Sequence, residues 1–375
     1  MKLLIPKEIS PETRVALIPQ MAKKLIETTK LEIFFQAEAG VNAGFPDQSY
    51  LDAGTKLSSF LAEANVFLCV APPSTADLQR FPNGSTVVGF FNALSNPGIA
   101  ADLAKKNITA FAMEMIPRIS RAQSMDALSS QAALAGYKAV LLAANHLQKI
   151  FPLMTTAAGT LTPAKVLILG VGVAGLSAIA TAKRLGAVVS AFDIRPETKE
   201  QVESLGAKFI DITLPEQVES KGGYAQEVSQ QTTEHIQKVL SEAVAKADII
   251  ITTAQVPGKK APRLIDENML TNVQMGAVIV DLASHQGGNV AGSRPNEEVK
   301  INGATILGPT NLPAMLAHHA SQMLARNFSE FLQLLFQDGK LHLNFEDEII
   351  NASCLTHEGE IKNKTIAELL KKESL

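Results

Sequence analysis

Short apolar runs separated by longer stretches of helical spacing recur along the whole chain. Residues 2–5, 31–36, 66–70, 86–90 and 108–112 read as strands, because each is a brief, nearly continuous apolar run. Between them, 18–26 and 97–105 carry apolar side chains at helical spacing. The pattern begins again after residue 160, with strands expected at 165–169, 188–192, 208–210, 248–252, 277–280 and 305–307. Strands that are apolar throughout and alternate with helices build a parallel sheet covered on both faces. The chain is therefore expected to be α/β, with two doubly wound parallel-sheet domains separated by a cleft.

Two longer helical patterns, 129–149 and 314–336, complete this picture. The first is expected to link the domains and wall the cleft. The second follows Pro309 and Pro313 and is expected to carry the chain back to the first domain. The expected division is 1–128 plus 311–375 for one domain and 129–310 for the other. A polar segment at 216–237, containing Gly222-Gly223, reads as an insertion or mobile loop.

Composition narrows the function. With 34 basic and 37 acidic residues the formal charge is −3, and tryptophan is absent. Neither an electrostatic footprint nor a stacking platform for nucleic acid follows. The two cysteines, Cys69 and Cys354, give no metal-site or disulfide framework. The apolar start breaks at Pro6, too soon for a signal-peptide core. The 17-residue uncharged run 166–182 approaches membrane length but holds Gly170, Gly172 and Gly175 in its first half, which suits a strand-turn-helix better.

That run is the clearest chemical signal. A buried strand enters G-x-G-x-x-G, which opens an apolar helix ending near Arg184. Gly170 suits the tight turn, Gly172 the close approach of a pyrophosphate, and Gly175 the packing of helix on strand. Phosphates would sit on the free N–H groups of the helix start. The next strand ends in Asp193, 23 positions after Gly170, near the ~20 expected of the acid that binds the adenosine ribose. Such a carboxylate repels a 2′-phosphate and favours NAD over NADP, whereas Arg195 beside it is of a type that accepts one. The domains are accordingly expected to be Rossmann-like.

A second signal is the polar stretch 117–131, which holds Arg118, Ser120, Arg121, Gln123, Ser124, Asp126, Ser129, Ser130 and Gln131. It follows an expected strand, at the sheet edge where α/β ligands bind. Its guanidiniums, amides, hydroxyls and carboxylate suit an amide-bearing ring and a ribose or phosphate. The same residues also suit a solvated loop with Ser124 as helix N-cap and Asp126 in the first turn. Composition leaves both readings open.

Taken with Gly170–Gly175 and Asp193, residues 117–131 closely resemble domain I of the proton-translocating nicotinamide nucleotide transhydrogenases. The resemblance extends from Ile5-Pro6-Lys7-Glu8 and Arg14 to the Thr356-His357-Glu358-Gly359 tail. It implies an NAD(H)-binding component of a Re/Si-specific NAD(P)+ transhydrogenase. In that reading NADP(H) sits on a partner beta-type subunit, and a membrane-spanning subunit couples direct hydride transfer to proton translocation. It also implies a homodimer, active only with its partner, cytoplasmic and peripheral on the inner face of the plasma membrane. Arg118, Gln123 and Asp126 would position the nicotinamide, with Ile119, Ser120 and Ser129 beside them. Val173, Asp193, Ile194, Arg195 and Gln255 would contact adenosine and ribose, and the loop at Gly223 and Tyr224 would close over the nucleotide. No metal is implied.

The related alanine dehydrogenases share the fold and are the alternative. The lysine that resemblance leads one to expect after the third strand is absent from Val70-Ala71-Pro72-Pro73. A histidine is absent from Phe90-Phe91-Asn92-Ala93, and His285 stands where that family has an acid. Arg14 remains. A third possibility is a nucleotide-responsive binding protein without turnover.

Overall fold

The computed structural model describes residues 1–58, 64–211 and 230–373. It divides into two compact units, 1–131 with 314–375 and 132–313. These limits lie three residues beyond the expected 128/129 and 310/311. The helix Ala127–His146 runs through the first limit, so no loop marks it.

The first unit is built on an eight-stranded sheet. Its order is Glu360–Ile361, Cys354–His357, Thr109–Ala112, Thr86–Gly89, Val66–Cys69, Lys2–Ile5, Glu32–Phe35, Lys56–Leu57. The six strands drawn from the N-terminal part are parallel, in the doubly wound order 3-2-1-4-5-6. Alternation along each strand sends side chains to opposite faces. Leu3 and Ile5 face one core with the helix Ala317–Leu335, which contributes Leu324, Phe328, Phe331, Leu332 and Leu335. Leu4 faces a second core with Phe67, Leu103, Leu355 and Ile366. Cys354–His357 pairs antiparallel with Thr109–Ala112, so the C-terminal segment extends the sheet.

The second unit repeats that order in its six parallel strands and adds a seventh at the edge: Lys208–Phe209, Val188–Phe192, Lys165–Leu169, Ile249–Thr252, Val278–Asp281, Ala304–Leu307, Glu298–Ile301. The last is antiparallel to its neighbour and the rest are parallel. Val166, Ile168, Ile249 and Ile251 pack with the helix Val173–Arg184 on one face. Leu167, Leu169 and Ile250 pack with Leu240 and Val244 on the other. Among the described residues, no helix is long and apolar enough to cross a membrane. Most of the expected insertion at 216–237, with Gly223 and Tyr224, lies outside the described residues.

Candidate nucleotide-binding site

In the second unit the strand order reverses between Lys165–Leu169 and Ile249–Thr252, which pair directly. Open α/β sheets take ligands outside the carboxyl ends of the two strands at such a reversal. Gly170 leaves the first strand with φ +100°, and a Cβ there would stand 2.6 Å from Thr253 Oγ1. Only glycine fits both conditions. The Thr253 hydroxyl donates to the Gly170 carbonyl at 2.9 Å and so ties the two strand ends together. A Cβ on Gly175 would overlap that same carbonyl, which is how closely the helix lies on the strand. Gly172 differs from both. Its backbone is extended, and a Cβ there would meet nothing within 4 Å. The empty space therefore lies on the outer side of the turn, against the start of Val173–Arg184, which no side chain caps. An uncapped helix start carries unpaired N–H groups and partial positive charge. Val173, the first residue of that helix, is exposed.

The helix start is held from behind. Gly136 lets the helix Ala127–His146 touch the Ala174 backbone, and Ser177 Oγ donates to the Ala133 carbonyl at 2.7 Å.

Asp193 closes the strand Val188–Phe192 and is nearly buried. Its Oδ2 accepts the Val171 N–H at 2.7 Å, which joins the acid to the glycine turn. Arg195 donates to the same carboxylate from its backbone N–H, its Nε and its Nη2, each at 2.9 Å. These bonds hold the guanidinium above its ordinary pKa. Ile194 packs on the core that holds Leu167, Leu169 and Ile250. Gln255 Nε2 donates to the Leu282 carbonyl at 2.6 Å. Gly170, Gly172, Val173 and Gly175 thus follow one another through the strand end, turn and helix start, Asp193 is bonded to that turn through Val171, and Arg195 to Asp193, with Gln255 two residues beyond Thr253.

One organising residue escaped the sequence reading. Asn289, fully buried, accepts from Ala254 N at 3.1 Å and donates to the carbonyls of Ala254 and Pro262 at 2.9 and 2.8 Å. Its signal was its position after Gly287-Gly288, two left-handed glycines that turn the chain back on itself. His285 is exposed on the turn just before them, its imidazole drawn down by partial desolvation against the pull of Asp281.

In the first unit the polar loop is a short 3-10 turn, Ser120–Met125, pinned by buried Ala122 and Met125. Arg118, Ser120 and Gln123 are exposed, and Ile119 packs on the core. Asp126, rather than Ser124, caps the helix Ala127–His146. Its Oδ1 accepts Ser129 N at 2.8 Å and its Oδ2 accepts Ser129 Oγ at 2.6 Å. The Ser124 carbonyl instead accepts Asn327 Nδ2 at 2.8 Å, and Asn327 Oδ1 accepts Ser130 Oγ at 2.8 Å. Arg121 is spent on a bidentate pair with Asp347, at 2.8 and 3.0 Å, which holds that carboxyl below its usual range.

At the strand-order reversal of this unit, Glu8 accepts Val70 N at 2.6 Å and Ala71 N at 3.2 Å. Burial pushes its pKa up to about 7, against these two bonds, with Glu12 adding to the rise and Arg14 opposing it. Arg14 is itself committed: Nε and Nη2 donate to Glu12 at 2.8 and 2.7 Å, and Nη1 to Gln131 at 2.9 Å.

Sheets that reverse their order at a glycine turn of this kind bind dinucleotides there, and the second unit is of that class by its geometry. The chain belongs to the alanine dehydrogenase/PNT family: the family's N-terminal domain matches residues 4–135 and its C-terminal domain residues 139–364. It is 44% identical to the first of the polypeptides that make up NAD(P) transhydrogenase subunit alpha in Rickettsia prowazekii, over 98% of each chain. It is 45% identical to the protein of the same name from Rhodospirillum rubrum, over 96% of this chain and 97% of that one. A solved transhydrogenase structure from Sinorhizobium meliloti, 41% identical, superimposes with a TM-score of 0.88 over 96% of this chain and all of the other.

Proposed function

We propose that this chain is the NAD(H)-binding component of a proton-translocating NAD(P) transhydrogenase. Hydride would pass directly between NAD(H) held here and NADP(H) held by a partner beta-type subunit. A membrane-spanning subunit would couple that transfer to proton movement, and this chain, as a homodimer, would be peripheral to the membrane through its partners.

One observation carries the nucleotide reading: the Val171–Asp193 bond wires a ribose-binding acid into a glycine turn with open space at Gly172. The relatives matched end to end supply the reaction. The dihydronicotinamide ring supplies the hydride when NADH is bound. Gly172 admits the pyrophosphate to the uncapped helix start, and Asp193 accepts the ribose hydroxyls. Arg118, Gln123 and Asp126, with Ile119, Ser120 and Ser129, orient the nicotinamide end. Transfer between two nicotinamide rings breaks no O–H or N–H bond, so positioning and exclusion of water are what the protein must supply. Asp126 suits that task, because both its oxygens are already fixed by Ser129. Gly223 and Tyr224 would close over the nucleotide.

The alternative, an alanine-dehydrogenase-like activity, would need an arginine to take a substrate carboxylate, yet Arg14 is committed to Glu12 and Gln131. The decisive experiment mixes the chain with a folded NADP(H)-binding component and follows NADH-dependent reduction of NADP+ or an analogue. The chain alone is expected to bind NADH without turnover, and the mixture to turn over. No rate in the mixture overturns the proposal. NADH oxidation with pyruvate and ammonia would favour the alternative, and binding without any turnover a nucleotide-responsive protein.

A further inference from the structure

A carboxylate offers about four acceptor positions. On Asp193 the protein fills them with the N–H of Val171, the N–H of Arg195, and the Nε and Nη2 of the Arg195 side chain. The pair is enclosed, the arginine side chain 12% and the aspartate 6% exposed. A ribose diol therefore finds the acid already engaged. The arginine, the type of group that grips a 2′-phosphate in NADP-binding sheets, is engaged as well, and Glu197 adds a second negative charge nearby.

We propose that Arg195 is a masked phosphate receptor and Asp193 its mask, so that the pair, rather than the carboxylate alone, sets which dinucleotide the turn accepts. This rests on the reading of the glycine turn as an NAD(H) site. The two backbone donors are fixed by the fold, whereas the two guanidinium donors leave with a change of rotamer. A ribose diol needs only the two positions that the side chain vacates. A 2′-phosphate would have to win the guanidinium while standing beside the Asp193 and Glu197 charges. The diol is therefore the easier guest, and discrimination depends on Asp193 keeping hold of Arg195.

The test measures Kd for NADH and NADPH by calorimetry on the full chain and three variants. Asp193→Asn keeps an acceptor for Val171 N–H but releases the ion pair. Its NADPH affinity is expected to rise about tenfold and its NADH affinity to fall about tenfold, the scale of one charge-assisted hydrogen bond. Adding Arg195→Ala to Asp193→Asn should abolish the NADPH gain. Arg195→Ala alone should sharpen preference for NADH by about threefold or more, since Asp193 then keeps its whole charge and two open acceptor positions. A NADPH gain that persists in the double variant overturns the inference, as does an Arg195→Ala chain with unchanged or weaker preference. If Asp193→Asn fails to fold, the preference of Arg195→Ala decides alone. Should the unaltered chain bind neither nucleotide, it is the site reading that fails; should it bind NADH while selectivity ignores Arg195, only the mask fails.

Discussion

At the scale of single residues, one acid does more than one job. Asp126 caps a helix and is also the residue proposed to orient a ring. Asparagine caps about as well as aspartate, whereas alanine does not cap. Asp126→Asn is therefore expected to leave stability within ~0.5 kcal/mol while slowing hydride transfer in the reconstituted mixture, and Asp126→Ala to cost ~1 kcal/mol as well. Chemical denaturation beside single-turnover kinetics separates the two, and equal rates in Asp126→Asn would reduce the residue to a cap. Glu8 makes a prediction of the opposite kind. Its folded pKa of about 7 stands above the ordinary 4.5 of a glutamate, so the folded chain binds more protons between those limits. Stability from this group is present in full below about pH 4.5 and is lost as pH rises through about 7. Glu8→Gln, measured by urea denaturation from pH 5 to 8, should flatten that decline even if it lowers stability throughout. An unchanged slope would mean that Glu8 ionises normally.

At the scale of elements, the strand–turn–helix at 165–184 separates packing from binding. A Cβ on Gly175 would strike the Gly170 carbonyl, and one on Gly172 would meet only space. Gly175→Ala should cost ~1–3 kcal/mol by overpacking. Gly172→Ala should melt like the unaltered chain yet bind NADH at least about tenfold more weakly, because the methyl group fills the room a pyrophosphate needs. Thermal scans with and without NADH test both, and intact binding by Gly172→Ala would move the phosphates elsewhere. These central elements were legible because strands buried on both faces leave an apolar run in the sequence: Lys2–Ile5, Lys165–Leu169 and Val188–Phe192 have the expected limits. The edges were less so. Lys56–Leu57 is exposed at both positions and leaves no apolar signature. Four hairpins among the described residues were not expected, and in three of them Asn302-Gly303, Asp338-Gly339 and Glu358-Gly359 each put two successive residues at positive φ, the pattern of a tight hairpin turn. Within the site, the glycine turn and Asp193 could be read from spacing. The grip of Asp193 on Arg195, the cap at Asp126 and the tie of Asn289 to the loop at Ala254 and Pro262 could not, since each depends on which partner the fold brings within reach.

At the scale of the whole molecule, the chain leaves the first unit at residue 131 and returns to it at 314, so that unit is built from both ends of the sequence. The returning segment is not an ornament on a finished core. Leu324, Phe328, Phe331, Leu332 and Leu335 are fully buried against Leu3, Ile5, Ile33 and Phe35. Val15 N donates to Ser321 Oγ at 2.9 Å, and Cys354–His357 covers the edge of Thr109–Ala112. Each large side chain of this kind contributes ~1.5–3 kcal/mol by burial, and five together rival the ~5–15 kcal/mol that holds a domain folded. A chain ending at Pro313 should therefore lose the first unit. The second unit, whose strands and both cores are drawn from 132–313, should persist. Limited proteolysis with mass mapping is expected to cut freely within 1–131 and to leave a protected fragment near 132–313. On the proposed site, that fragment should still bind 5′-AMP through the glycine turn and Asp193, and should bind NADH more weakly for want of the contacts proposed for Arg118, Gln123 and Asp126. Protection of 1–131 in the shortened chain would mean that the first sheet closes its core without the returning helix, and the division of labour between the two ends of the chain would not stand.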